Sequence, residues 1–118
     1  MSRVTVQSGR LAAPVALALA WMAFAAPCFA ADPALMEGRQ IFNSGAASAP
    51  ACALCHTLKD AGSAGQIGPN LDELKPDTAR IARVIRSGMG PMPAFTALTD
   101  DQVAALARYV STVTQAKP

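Results

Sequence analysis

Cys52-Ala53-Leu54-Cys55-His56 sets two thiols three positions apart and an imidazole directly after the second. Each thiol can add to one vinyl group of a porphyrin and form a thioether. The imidazole that follows can then reach the iron from one face. The string therefore reads as the attachment site of one covalent haem c, with His56 as the proximal ligand. His56 is the only histidine of the chain, which removes competing arrangements. A tetrahedral zinc site needs four ligands, and after residue 30 the chain adds only carboxylates to Cys52, Cys55 and His56. A thioredoxin-like thiol pair would need alternating strands and helices, a pattern the sequence lacks.

The second axial ligand cannot be a histidine of the same chain. Met36, Met89 and Met92 remain, or a site that is open or filled by water. Met36 falls within a helical pattern, where methionine ordinarily fills core gaps. Met92 stands between Pro91 and Pro93, so a stiff segment would present its thioether, and it is the preferred candidate. Met89, three residues earlier and next to Gly88, is its competitor. A thioether is a soft ligand that favours ferrous iron and raises the reduction potential. A six-coordinate iron has no open position for substrate, so a His/Met pair describes an electron carrier rather than an enzyme.

The elements that must position these groups read as helices. Asp32 and Pro33 open the first, which is expected to run to about Asn43 with Leu35, Gly38 and Phe42 on one face. Residues 44–51 form a small-residue loop, and Cys52 to Leu58 is expected as a helical turn or more. Residues 60–68 are rich in glycine and expected to be irregular. They lack the Gly-Lys-Ser/Thr ending of a phosphate loop. Asp77 caps a second helix, Thr78 to Ser87, which Gly88 ends. Ile81, Val84 and Ile85 form its apolar face, and Arg80, Arg83 and Arg86 recur on the other side. That basic row is expected to be solvated; the alternative is a docking face for an acidic partner. Met89 to Pro93 is expected as an extended stretch. Thr99 and Gln102 form a capping box for a last helix, about Asp100 to Thr114, whose buried stripe includes Val103, Leu106 and Val110 with Tyr109 alongside. No strand alternation or repeat is visible, so the expected class is all-α.

Residues 1–30 read as a cleaved secretory signal and residues 31–118 as one domain. Arg3 and Arg10 supply a basic start, an apolar run extends from Leu11 to about Ala26, and Cys28-Phe29-Ala30 suits cleavage after Ala30. The run is shorter than the about 20 residues of a membrane span. An uncleaved anchor is the alternative, and Cys28 is read as part of the discarded segment. The 88 residues after Ala30 hold all eight acids and eight of the ten basic residues, so the net charge of +2 belongs to the leader. That balance gives no reason to expect nucleic acid or stable membrane insertion. Phe42, Phe95 and Tyr109 are the only aromatic residues after Ala30, a thin core for a domain of this size. A buried porphyrin would supply the missing apolar mass. Export also fits, because haem c is attached outside the bacterial cytoplasmic membrane; the expected location is the periplasm.

The chain resembles the small monohaem class I cytochromes c over nearly all of residues 31–118. Gly38-Arg39-Gln40-Ile41-Phe42 is similar to the family's first helix, and Cys52–His56 to its haem site. Gly68-Pro69-Asn70-Leu71 is similar to the loop whose proline carbonyl supports the proximal histidine. Met92-Pro93-Ala94-Phe95 is similar to the axial methionine segment, and Leu106 to Val110 to the last helix. The resemblance implies three to four short helices wrapped around one haem c. It also implies a bond from His56 Nδ1 to the Pro69 carbonyl and close packing of Gly38 on the last helix, sealed by Phe42 and Tyr109. The 44–51 loop is longer than the family pattern. Gly68 to Pro76 further resembles small cytochromes paired with periplasmic sulfite dehydrogenases.

The expected function is a periplasmic single-electron carrier. It would take electrons from a dehydrogenase or a quinol-oxidising complex, pass them to a terminal acceptor, and so have redox proteins as partners. The alternative is a tightly bound haem subunit of a periplasmic oxidoreductase such as a sulfite dehydrogenase. A third reading, a haem enzyme or gas sensor with an open distal site, requires that neither Met89 nor Met92 binds iron.

Overall fold

The computed structural model describes Gly9 and residues 31–115. The expected signal segment, with Cys28, lies outside the described residues. Four helices carry the fold: α1 Pro33–Ser44, α2 Leu71–Leu74, α3 Thr78–Ser87 and α4 Asp100–Gln115. Among the described residues, no helix is long and apolar enough to cross a membrane.

The helix ends follow local chemistry. The Asp32 carboxylate accepts from Ala34 N–H at 3.0 Å and Pro33 fills the first position of α1. Gly45, at φ +73°, ends α1 and donates its N–H to the Ile41 carbonyl at 2.8 Å. Asp77 accepts from Arg80 N–H at 2.8 Å to start α3. The capping box of α4 forms in both directions: Thr99 N–H donates to Gln102 Oε1 at 3.0 Å, and Gln102 N–H to Thr99 Oγ1 at 3.2 Å.

α1 crosses α4 at closest range where Gly38 meets it. A Cβ on Gly38 would lie 2.5 Å from Tyr109 Cβ and press on the Ala105 carbonyl oxygen. Only a bare backbone permits this approach. Phe42 and Tyr109 flank the contact at 1 % and 2 % exposure. Their rings meet edge to face, with centroids 6.2 Å apart and planes at 64°. Ile41, Leu58, Ile85, Leu98, Val103, Leu106 and Val110 complete the core around this pair.

Five local expectations change. Cys52 to Leu58 is not one helical segment: a single 3-10 turn spans Cys52–Leu54, and the chain then extends into a short strand. That strand, β1 Thr57–Leu58, pairs antiparallel with β2 Ser63–Ala64. Side chains hold the hairpin, since Thr57 Oγ1 donates to the Gly65 carbonyl at 2.8 Å and Ser63 Oγ accepts from Leu58 N–H at 3.0 Å. Met89 to Pro93 is a tight turn rather than an extended stretch. Met89 and Met92 exchange backbone hydrogen bonds of 2.9 and 3.0 Å, and Gly90 at φ +53° reverses the chain between them. Met36 is 60 % exposed and fills no core gap. Arg86 leaves the solvated row: it donates to the Leu98 carbonyl at 2.7 Å and pairs with Asp100, tying α3 to the start of α4. α2, a single turn capped by Asn70, adds a helix that the sequence pattern did not suggest.

Candidate functional site

Cys52 and Leu54 of the 3-10 turn, the Cys55–His56 segment after it, Ile67 to Pro69, α3 and the Met89–Met92 turn line an open pocket of about 600 Å³. Leu106 and Val110 of α4 close it from the core side. Cys52, Cys55, His56, Pro69 and Met92 all line this pocket, so every expected site residue meets there. Met89 lines it as well, but is 58 % exposed, whereas Met92 packs on the core. Met36 is not among the lining residues.

His56 is held by contacts on its ring and on its backbone. Its Nδ1 lies 2.9 Å from the Pro69 carbonyl oxygen. A carbonyl only accepts, so this bond needs the proton on Nδ1 and leaves the Nε2 lone pair free for a metal. Gly68 lies flat against the imidazole: a Cβ there would come within 2.7 Å of Nδ1 and 2.9 Å of Nε2. Ser63 Oγ donates to the His56 carbonyl at 3.0 Å. Gly65 presses on the same backbone, where a Cβ would lie 2.7 Å from His56 N. Gly68 N–H closes the loop on the Cys55 carbonyl at 2.7 Å.

Cys52 and Cys55 are free and half-buried. Burial pushes the Cys52 thiol up to about 11, against the lowering effect of a backbone hydrogen bond. Cys52 therefore rests as a neutral thiol. The hairpin is anchored from below by Tyr109, whose hydroxyl donates to Asp60 Oδ2 at 2.6 Å. Burial first, and this bond to Asp60 second, push the Tyr109 phenol above its ordinary range. Arg39 donates to the Asp60 carbonyl at 3.0 Å and ties α1 to the same corner.

Sequence reasoning missed Ser63, Gly65 and the Asp60–Tyr109 bond. The glycine-rich 60–68 stretch carried the signal for the first two: its missing side chains let the hairpin fold tightly under the motif. Nothing in the local sequence signals a bond between residues 49 positions apart.

This donor set and cavity fit a covalently held porphyrin. Two thiols stand beside one imidazole with a free nitrogen, and the remaining wall is almost wholly apolar. The comparisons agree. A family model described as cytochrome C oxidase, cbb3-type, subunit III, matches residues 33–110. The chain belongs to the class I c-type cytochromes. A solved structure, the c-type cytochrome SorU from Sinorhizobium meliloti, is 51 % identical over 70 % of this chain and 92 % of its own, with a TM-score of 0.65. No curated protein matches the chain. The cytochrome's helices and the Cys52–His56 segment thus form the wall of a haem site, and its chemistry is electron transfer.

Proposed function

We propose that the protein carries single electrons in the periplasm on one haem c, after removal of residues 1–30. Cys52 and Cys55 would form the thioethers, and His56 Nε2 and Met92 would be the axial ligands. The observation that carries this reading is that Cys52, Cys55, His56 and Met92 share the wall of one apolar pocket. The bound haem supplies a reversible one-electron couple. The protein's part would be to orient His56 through the Pro69 carbonyl and Gly68 and to supply the Met92 thioether from the same pocket wall. Its half-buried position, packed on the core, makes Met92 the better ligand than the exposed Met89.

The resemblance of Gly68 to Pro76 to cytochromes paired with sulfite dehydrogenases favours a dehydrogenase as electron donor. It also supports the second reading, a tightly bound haem subunit, which predicts co-purification with that enzyme. The deciding experiment is a redox titration of the haem-loaded protein beside Met92→Ala and Met89→Ala. A high potential that collapses in Met92→Ala and persists in Met89→Ala is expected. A potential indifferent to Met92→Ala, with ready carbon monoxide binding by the ferrous parent, would sink the His56/Met92 assignment.

A further inference from the structure

The pocket wall contains one charged side chain, Arg80. It stands in the first turn of α3, and Ile81, Val84 and Ile85 of the same helix line the wall beside it. Three other arginines among the described residues have protein partners. Arg39 donates to the Asp60 carbonyl, Arg86 pairs with Asp100, and Arg108 pairs with Asp32 at 2.6 Å. The Arg80 guanidinium has no such partner among the described residues. Asp77 is the nearest acid in sequence, but its carboxylate accepts from the Arg80 backbone N–H, capping the helix, and it does not line the pocket. Arg83 is also unpartnered and exposed, but it lies off the pocket wall.

A lone guanidinium at the edge of an apolar cavity is set to receive an anion that enters with an apolar body. Planar, with paired N–H donors, it matches a carboxylate in two-point geometry. A porphyrin with propionate side chains brings such carboxylates, and leaving one unpaired against an apolar wall is costly. We infer that Arg80 anchors a haem propionate at the mouth of the pocket. This inference rests on the haem reading above. Arg80 would be a positioning residue: it fixes the tilt of the ring and offsets the carboxylate charge felt by the iron. An unshielded carboxylate favours ferric iron, so loss of Arg80 lowers the potential.

The test is resonance Raman spectroscopy of the haem-loaded protein, reading the propionate bending bands, with potentials measured on the same samples. Arg80→Gln is expected to shift a propionate band and to lower the ferrous-to-ferric ratio several-fold at a fixed poise. Arg80→Lys, which keeps the charge, should restore most of the ratio. Arg83→Gln, one turn away and off the wall, should leave the band in place. A band unmoved in Arg80→Gln, or moved equally in Arg83→Gln, overturns the anchor while leaving the haem reading intact. A parent protein matured with the haem-attachment machinery that keeps no haem after denaturation overturns both.

Discussion

The crossing of α1 and α4 and the wall made by α3 solve the same problem in opposite ways. At the crossing the protein fills its own space. α1 buries Gly38, Ile41 and Phe42, and α4 buries seven residues, among them Leu106, Tyr109 and Val110. On the other side α3 buries only Ile85, while Ile81 and Val84 face an open pocket of about 600 Å³. Both helices are amphipathic and well capped, so propensity does not separate them. What differs is the partner. α4 packs against a helix whose glycine lets the backbones touch. α3 faces a space that a bound group must fill, and its stability depends on that group.

The largest expected effect breaks the two halves apart. Cys52→Ser with Cys55→Ser, prepared without haem, should leave a protein worth no more than about 3 kcal/mol, the scale of a small single core. Amide exchange should lose protection across α3 and the Met89–Met92 turn, while α1 and α4 keep part of theirs. Equal protection in both halves would mean that the pocket wall stands without a cofactor.

A smaller effect strikes only the self-filled half. Gly38→Ala adds one methyl group to a helix that would otherwise gain from it by up to about 1 kcal/mol. Here that carbon would lie 2.5 Å from Tyr109 Cβ and press on the Ala105 carbonyl, neither the far end of a flexible side chain. Overpacking of this kind should cost about 2 kcal/mol net in denaturant unfolding of the haem-loaded protein. The potential of the folded fraction should stay at the parent value. A lowered potential would show that the crossing and the pocket are not separable.

Much of this division was legible in the sequence, and for definite reasons. Caps are short-range chemistry, so Asp32, Asp77, Gly88 and the Thr99/Gln102 box marked helix ends within a residue or so. The motif residues are chemically distinctive, and the single histidine left few ways to read them. The hairpin was not legible, because two-residue strands such as Thr57–Leu58 are too short to show alternation. The Met89–Met92 turn was misread as extended because prolines exclude helix without specifying a reversal; Gly90 at positive φ supplies it. The Pro69 carbonyl came only through resemblance, since a backbone acceptor has no side-chain signature. The exposure of Met36 and the bonding of Arg86 to Leu98 and Asp100 depend on which neighbours arrive, and periodicity alone does not name them.

The bond from Tyr109 to Asp60 ties the crossing to the hairpin that follows His56, and it sets the smallest predicted effect. Tyr109 belongs to the crossing, and Asp60 belongs to the loop of the hairpin beneath the haem motif. Tyr109→Phe keeps the ring packed on Phe42 but removes the donor. The expected cost at neutral pH is about 1 kcal/mol, the scale of a typical net intramolecular hydrogen bond. Its pH dependence separates this bond from packing. Burial and Asp60 raise the phenol's pKa above its ordinary value of 10, so the folded protein holds this proton more tightly than the unfolded chain. The contribution is therefore fully present below about pH 10 and is lost as pH rises beyond it. Tyr109→Phe has no such proton. Stability curves for the two proteins should run parallel from neutrality to about pH 10 and converge above it. If instead the gap stays constant into the alkaline range, the hydroxyl contributes through packing alone, and the hairpin is tied to the crossing by Arg39 and the core rather than by this bond.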